Sequence, residues 1–178
     1  MRQCVACKNK PPHIDAAFAA VTYSFPWAKM VHDFKFHDNP AWARSMALLM
    51  RSTPWVDPAL DAADWVVPMP LSPERLRQRG FNQAFLLARE LAPQMVNNTF
   101  LMRIQDTPAQ SSLPRRERLA NVEHAFAIEP LQRHQLKGKR IVLVDDVMTS
   151  GASINAAALA LKQAGAQHVT ALVFARTD

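Results

Sequence analysis

The chain has 178 residues, 49% of them hydrophobic, enough for one substantial core with a small appendage and too apolar for disorder. No apolar run approaches the ~20 residues that cross a bilayer, and no charged-then-apolar leader opens the chain, so a cytoplasmic protein with no membrane partner is expected. Lysine and arginine outnumber aspartate and glutamate 21 to 15, for a net charge of +6, a balance suited to a multiply charged pyrophosphate or to nucleic acid.

Residues 1–15 form a polar, proline-containing lead-in, where Cys4 and Cys7 have metal or redox spacing rather than that of a disulfide framework. Ala16–Tyr23 reads as a strand, and Pro26–Phe36 as a short helix with Trp27, Met30, Val31 and Phe34 on one side. His32 and His37 flank Asp33 and Lys35 and read as polar partners at a helix end. Asn39-Pro40 predicts an N-cap with proline at N1, opening a helix to about Met50 with Trp42, Met46 and Leu49 inward. Thr53–Asp61, with two prolines, reads as a linker. Trp65–Pro68 is then a strand, Asn82 caps a helix to about Ala92, and Thr99–Ile104 is another strand. Arginines cluster at 75–79 and 115–118, both expected to be loops. Residues 105–122 form a long polar loop, and Ala125–Ile128 a short strand.

The most informative stretch runs from Ile141 to Ser153. Ile141–Val144 is an unbroken aliphatic run, as in a strand buried on both faces. It leads into Asp145 and Asp146 and then a hydroxyl-rich turn, Thr149–Ser153, with Ser153 as the expected cap of the following helix. Ile154, Ala158 and Leu161 continue at helical spacing, Gly165 follows the helix, and Val169–Ala175 is a further strand. A βαβ unit of this kind holds a sugar phosphate: the carboxylates bind ribose hydroxyls or a metal, and the turn offers N–H groups and hydroxyls to a phosphate. Neither a nucleotide P-loop nor a dinucleotide glycine fingerprint is present.

Val142–Ser153 resembles the phosphoribosyl pyrophosphate (PRPP) motif of type I phosphoribosyltransferases. The resemblance implies that Asp145 and Asp146 face the ribose hydroxyls, directly or through Mg2+, and that Thr149, Ser150, Gly151, Ala152 and Ser153 cradle the 5′-phosphate. Purine-salvage members carry an acidic residue where this chain has Thr149, which argues against that role. With Val66–Leu71, Ser72–Gln83, Thr107–Val122, the Phe34–His37 segment and the paired cysteines, nearly the whole chain resembles the competence-associated ComF family.

That resemblance implies an α/β fold of the type I phosphoribosyltransferase kind, a mainly parallel sheet flanked by helices with a small hood. Residues 1–15 would be a residual cysteine knuckle, 16–61 the hood, and 62–178 the phosphoribosyltransferase core. Pro70, Leu71, Arg75 and Arg79 would bind pyrophosphate, with Asp145, Asp146, Arg75 and Arg79 as the catalytic set. Residues 105–122 would be the loop that closes over PRPP, through Gln110, Arg115, Arg116, Arg118 and Asn121. Many relatives have two Cys-x-x-Cys knuckles and hence a four-cysteine zinc site; Cys4 and Cys7 match the second, so a Zn2+ site here would be incomplete. Two functions stay open. One is Mg2+-dependent phosphoribosyl transfer to an unidentified base, linked to competence or use of incoming DNA. The other is a non-catalytic PRPP- or nucleotide-binding module acting in DNA uptake through partner proteins or DNA, and either could work as a homodimer.

Overall fold

The computed structural model describes residues 7, 11–36, 39–104 and 124–177. In chain order these hold β1 (Ala16–Thr22), α1 (Trp27–Phe36), α2 (Trp42–Arg51), α3 (Val56–Asp61), β2 (Trp65–Pro68), α4 (Pro73–Arg79) and α5 (Gln83–Leu91). There follow β3 (Leu101–Arg103), β4 (Phe126–Ile128), a 3-10 helix (Pro130–Leu136), β5 (Arg140–Met148), α6 (Ala152–Gln163) and β6 (His168–Arg176).

β1, β6, β5 and β2 pair in that order, all parallel, while β3 and β4 make a separate antiparallel pair. The parallel sheet follows from β5 and β6, whose residues are apolar on both faces because both faces are covered. Ile141 and Leu143 pack on one side with Ile154, Ala157 and Leu161 of α6. Val142 and Val144 pack on the other with Phe34, Met46, Val56 and Leu87, from α1, α2, α3 and α5. The chain adds one more parallel contact beyond β2: Val66 donates to Met95 O at 2.8 Å, and Asn97 donates to Val66 O at 2.9 Å. From β2 the chain therefore moves outward to residues 95–97, whereas from β5 it moves the opposite way, to β6. The order reverses between β2 and β5, and a crevice at the carboxyl ends of two such strands is where open α/β sheets bind ligands.

Several local expectations are corrected. Asn39 does not cap α2; its carbonyl and that of Pro40 accept from Trp42 and Ala43 in a preceding turn, and Ala41 takes the cap position without a side-chain bond. The buried face of α2 is Ala43, Met46, Ala47 and Met50, so Trp42 and Leu49 pack only at its margin. Thr53–Asp61 is more than a linker, because α3 buries Val56 and Leu60. The arginines of 75–79 lie on helix α4, not in a loop, since Ser72 caps it and Pro73 starts it. Within segment 16–61, β1 joins the main sheet and α1–α3 cover one of its faces.

Candidate functional site

β5 delivers the acidic pair. It runs to Met148, so both carboxylates sit within the strand rather than just after it. Neighbouring strand residues point to opposite faces, and the two aspartates differ accordingly. Asp146 is 6% exposed and lies on the side of α1, where Lys35 Nζ stands 2.7 Å from its Oδ2. Its Oδ1 accepts the Val147 N–H at 3.0 Å, and Asp145 Oδ1 accepts the Asp146 N–H at 2.9 Å. Burial and the neighbouring Asp146 carboxylate push the Asp145 carboxyl well above its ordinary range.

Beside them stands the segment after β2. Met69 N–H donates to Val144 O at 2.8 Å, so the chain leaves β2 against the residue preceding Asp145. Asn82 holds this loop twice: its Nδ2 donates to Met69 O at 3.0 Å, and its Oδ1 accepts from Phe85 N at 3.2 Å to cap α5. Pro70 and Leu71 are half-buried, and Ser72 Oγ accepts from Arg75 N at 3.3 Å. The only cis peptide bond among the described residues is Phe25–Pro26, so 68–71 is trans throughout. Arg75 and Arg79, one helical turn apart, are the half-buried arginines of α4, while Arg77 is exposed. Burial lowers the Arg79 guanidinium, the Asp146 and Asp145 carboxylates act against this, and Arg75 adds to it.

The turn after β5 is built around Gly151, which takes φ +75° at the N-cap of α6, a conformation an L side chain adopts only with strain. Ser153 is therefore inside the helix and not its cap. Ser150 Oγ accepts from Ala152 N at 3.4 Å; Thr149 and Ser150 are exposed, and Gly151, Ala152 and Ser153 half-exposed. A turn and a 12-residue helix so arranged present N–H groups to an anion. Asn155 in the first turn of α6 accepts the His13 N–H at 2.6 Å, tying the lead-in segment beside the turn.

The sheet thus brings together Asp145, Asp146, Pro70, Leu71, Arg75, Arg79 and the 149–153 turn. Lys35 was missed as a site residue; its signal was a cation in the last turn of a helix packed on the strand carrying the acidic pair. Of the expected loop residues, Gln110, Arg115, Arg116, Arg118 and Asn121 lie outside the described residues, as do Cys4 and His37. Cys7 is described, and it is half-buried. His32 Nδ1 stands 3.8 Å from Asp33 Oδ1 at the helix end.

The Mg2+ implied by the fold does not fit as a protein-held ion. Asp146 Oδ2 is covered by Lys35, one further oxygen of each carboxylate accepts a backbone N–H, and no group of three potential ligands occurs among the described residues.

Residues 82–177 match the phosphoribosyl transferase domain family. The chain is 32% identical to DNA utilization protein YhgH of Salmonella typhimurium, over 98% of this chain and 78% of that protein. It is 28% identical to competence protein F of Haemophilus influenzae, over 98% and 79% of the two chains. It is 37% identical to competence protein ComFC of Bacillus subtilis, over 56% of this chain and 39% of that one. A solved structure of the allosteric regulatory enzyme of purine biosynthesis superposes with a TM-score of 0.44 and 20% identity, over 74% of this chain and 25% of that chain. Among the described residues no helix is long and apolar enough to cross a membrane.

Proposed function

The chain belongs to the ComF family of phosphoribosyltransferase-like proteins, with the type I phosphoribosyltransferase fold, and from that premise we propose that it binds PRPP and transfers its phosphoribosyl group to a nitrogenous base. The observation that carries the reading is the convergence of Asp145, Asp146, Arg75 and Arg79 where the order of the sheet reverses.

The division of labour follows from charge. The 149–153 turn holds the 5′-phosphate and fixes the sugar, the acidic pair takes the ribose hydroxyls, and Arg75 and Arg79 take the pyrophosphate. The C1–O bond breaks and pyrophosphate leaves with its electron pair, its charge met by Arg75 and Arg79. The lone pair of the acceptor nitrogen forms the new C1–N bond, and that nitrogen then gives its proton to water or to the departing pyrophosphate. Positive charge develops at C1 in between, and the buried carboxylates are placed to stabilise it. No side chain is needed as a strong base if the acceptor is already nucleophilic.

The test is pyrophosphate release from PRPP and Mg2+ with a panel of bases. Turnover that falls at least about a hundredfold in Asp146→Asn, the scale of losing one aimed electrostatic contact, supports transfer. A second reading rests on the names of the relatives, which concern DNA utilization and competence. There the pocket binds PRPP or a nucleotide without turnover, and the protein acts in DNA uptake through partners. PRPP binding with no pyrophosphate from any acceptor selects it.

A further inference from the structure

The cation nearest the acidic pair belongs to the protein. Lys35 reaches from the last turn of α1, its side chain 20% exposed, to an Asp146 side chain that is 9% exposed. The 2.7 Å separation is a close ion pair without hydrogen-bond geometry, and Asp146 Oδ2, which has no accessible surface left, has no hydrogen-bond partner among the described residues, so the Lys35 charge is what compensates it. A divalent ion coordinated there would have to evict an ammonium already seated, in a site where Arg75 and Arg79 add positive charge. Electrostatics also makes the pair self-sufficient: a carboxylate buried this deeply needs a compensating cation, and one is built in.

We propose that Lys35 takes the place of a divalent cation at the acidic pair, so that the ribose end of the pocket receives its ligand without metal. The inference rests on the reading of this pocket as a phosphoribosyl site. Any metal dependence then comes in with the pyrophosphate and is a property of the donor. Lys35 acts through Asp146, fixing which oxygens face the sugar, and is a positioning residue. It also couples α1 to the pocket: an uncharged side chain at 35 leaves Asp146 looking for another cation.

Two probes test this on the full chain. The first is Mn2+ alone, followed by electron paramagnetic resonance. Wild type is expected to take up no Mn2+ at the pair, and Lys35→Met to bind it at least about tenfold tighter, the weight of one charge-assisted contact. Adding Asp146→Asn to Lys35→Met should abolish the gain. The second is ribose 5-phosphate, which lacks the pyrophosphate, titrated by calorimetry with Mg2+ or with a chelator. Wild-type affinity should agree within about twofold between the two conditions, and Lys35→Arg should behave alike because it keeps the cation. Lys35→Met should weaken in chelator and recover with Mg2+. Wild type binding Mn2+ through Asp146 as tightly as Lys35→Met, or gaining tenfold for ribose 5-phosphate with Mg2+, overturns the inference. Should Lys35→Met fail to fold, the wild-type comparison alone decides. Ribose 5-phosphate that binds in neither condition sinks the phosphoribosyl reading instead, while the Mn2+ arm still judges Lys35.

Discussion

At the scale of single residues, the two aspartates are adjacent in sequence and unlike in role. Asp146 is held by Lys35, whereas burial and that neighbouring carboxylate raise Asp145 above its ordinary value. A raised carboxyl favours the protonated form in the fold, so its contribution is complete below the ordinary value of 3.8 and is lost as pH rises through the folded value. Ionising Asp145 in the fold is therefore a cost retained for its use. Asp145→Asn is expected to melt higher than wild type near neutral pH in the absence of ligand, with the two curves converging below about pH 4, where Asp145 is protonated in both states. Equal melting temperatures across that range would show that Asp145 is not strained. Arg79 gives a second residue-scale expectation. Its side chain faces both carboxylates and, in the proposed pocket, the pyrophosphate. Losing one hydrogen bond to a charged group costs about 1.5–3 kcal/mol, so Arg79→Met should weaken PRPP about tenfold or more. Ribose 5-phosphate should change by less than about threefold, since the lost partner is absent from it. Calorimetry with both ligands checks the difference.

Elements place these residues, and the joint between β2 and α5 matters most. Asn82 serves the helix with its oxygen and the loop with its nitrogen, so it couples the 69–72 segment to the rigid start of α5. Asn82→Ala is expected to lower stability by about 1–2 kcal/mol, a lost cap plus a lost carbonyl bond. Urea titration reads that loss, and PRPP affinity should fall with it because the loop loosens; unchanged affinity would detach the loop from the site. Another joint is electrostatic. Asp64, just before β2, accepts the Arg140 N–H at 2.8 Å and pairs with Lys139 Nζ at 2.8 Å; these two contacts hold its carboxyl below the ordinary value. The depressed group stabilises the fold above pH 3.8, and that stabilisation is lost as pH falls through the folded value. Asp64→Asn should flatten part of the acid limb of a stability profile. The contrast between these joints shows what the sequence can express. Asn82 was legible as a cap, because capping is local, and Ile141–Val144 as a buried strand, because periodicity is local. The helix at 73–79 was hidden by its arginines, which resemble a solvated loop until Ser72 and Pro73 are weighed as a start signal. Lys35 was beyond reach, since its partner lies over a hundred residues away and is met only once α1 is laid on β5.

On the scale of the whole molecule, the question is how a net charge of +6 is spent. Lys35 is committed to Asp146, and Arg79 faces both carboxylates, so the pocket is closer to neutral than the chain as a whole. Any excess carried on other surfaces is where a polyanion can be met without entering the pocket. We propose two separable binding activities: a small phosphorylated ribose inside, and weak, sequence-indifferent attraction of nucleic acid outside. The second is expected to obey counterion release, with log affinity for a single-stranded oligonucleotide falling linearly against log salt at about 0.7 per phosphate neutralised. PRPP at saturating concentration should leave that line unmoved, and Asp146→Asn should do the same. Fluorescence anisotropy across a salt series, with and without PRPP, measures both. Displacement of the oligonucleotide by stoichiometric PRPP would place the DNA in the pocket and make one site of two. Absence of binding even at low salt would remove the direct DNA contact, so that any role in DNA uptake would have to pass through a protein partner.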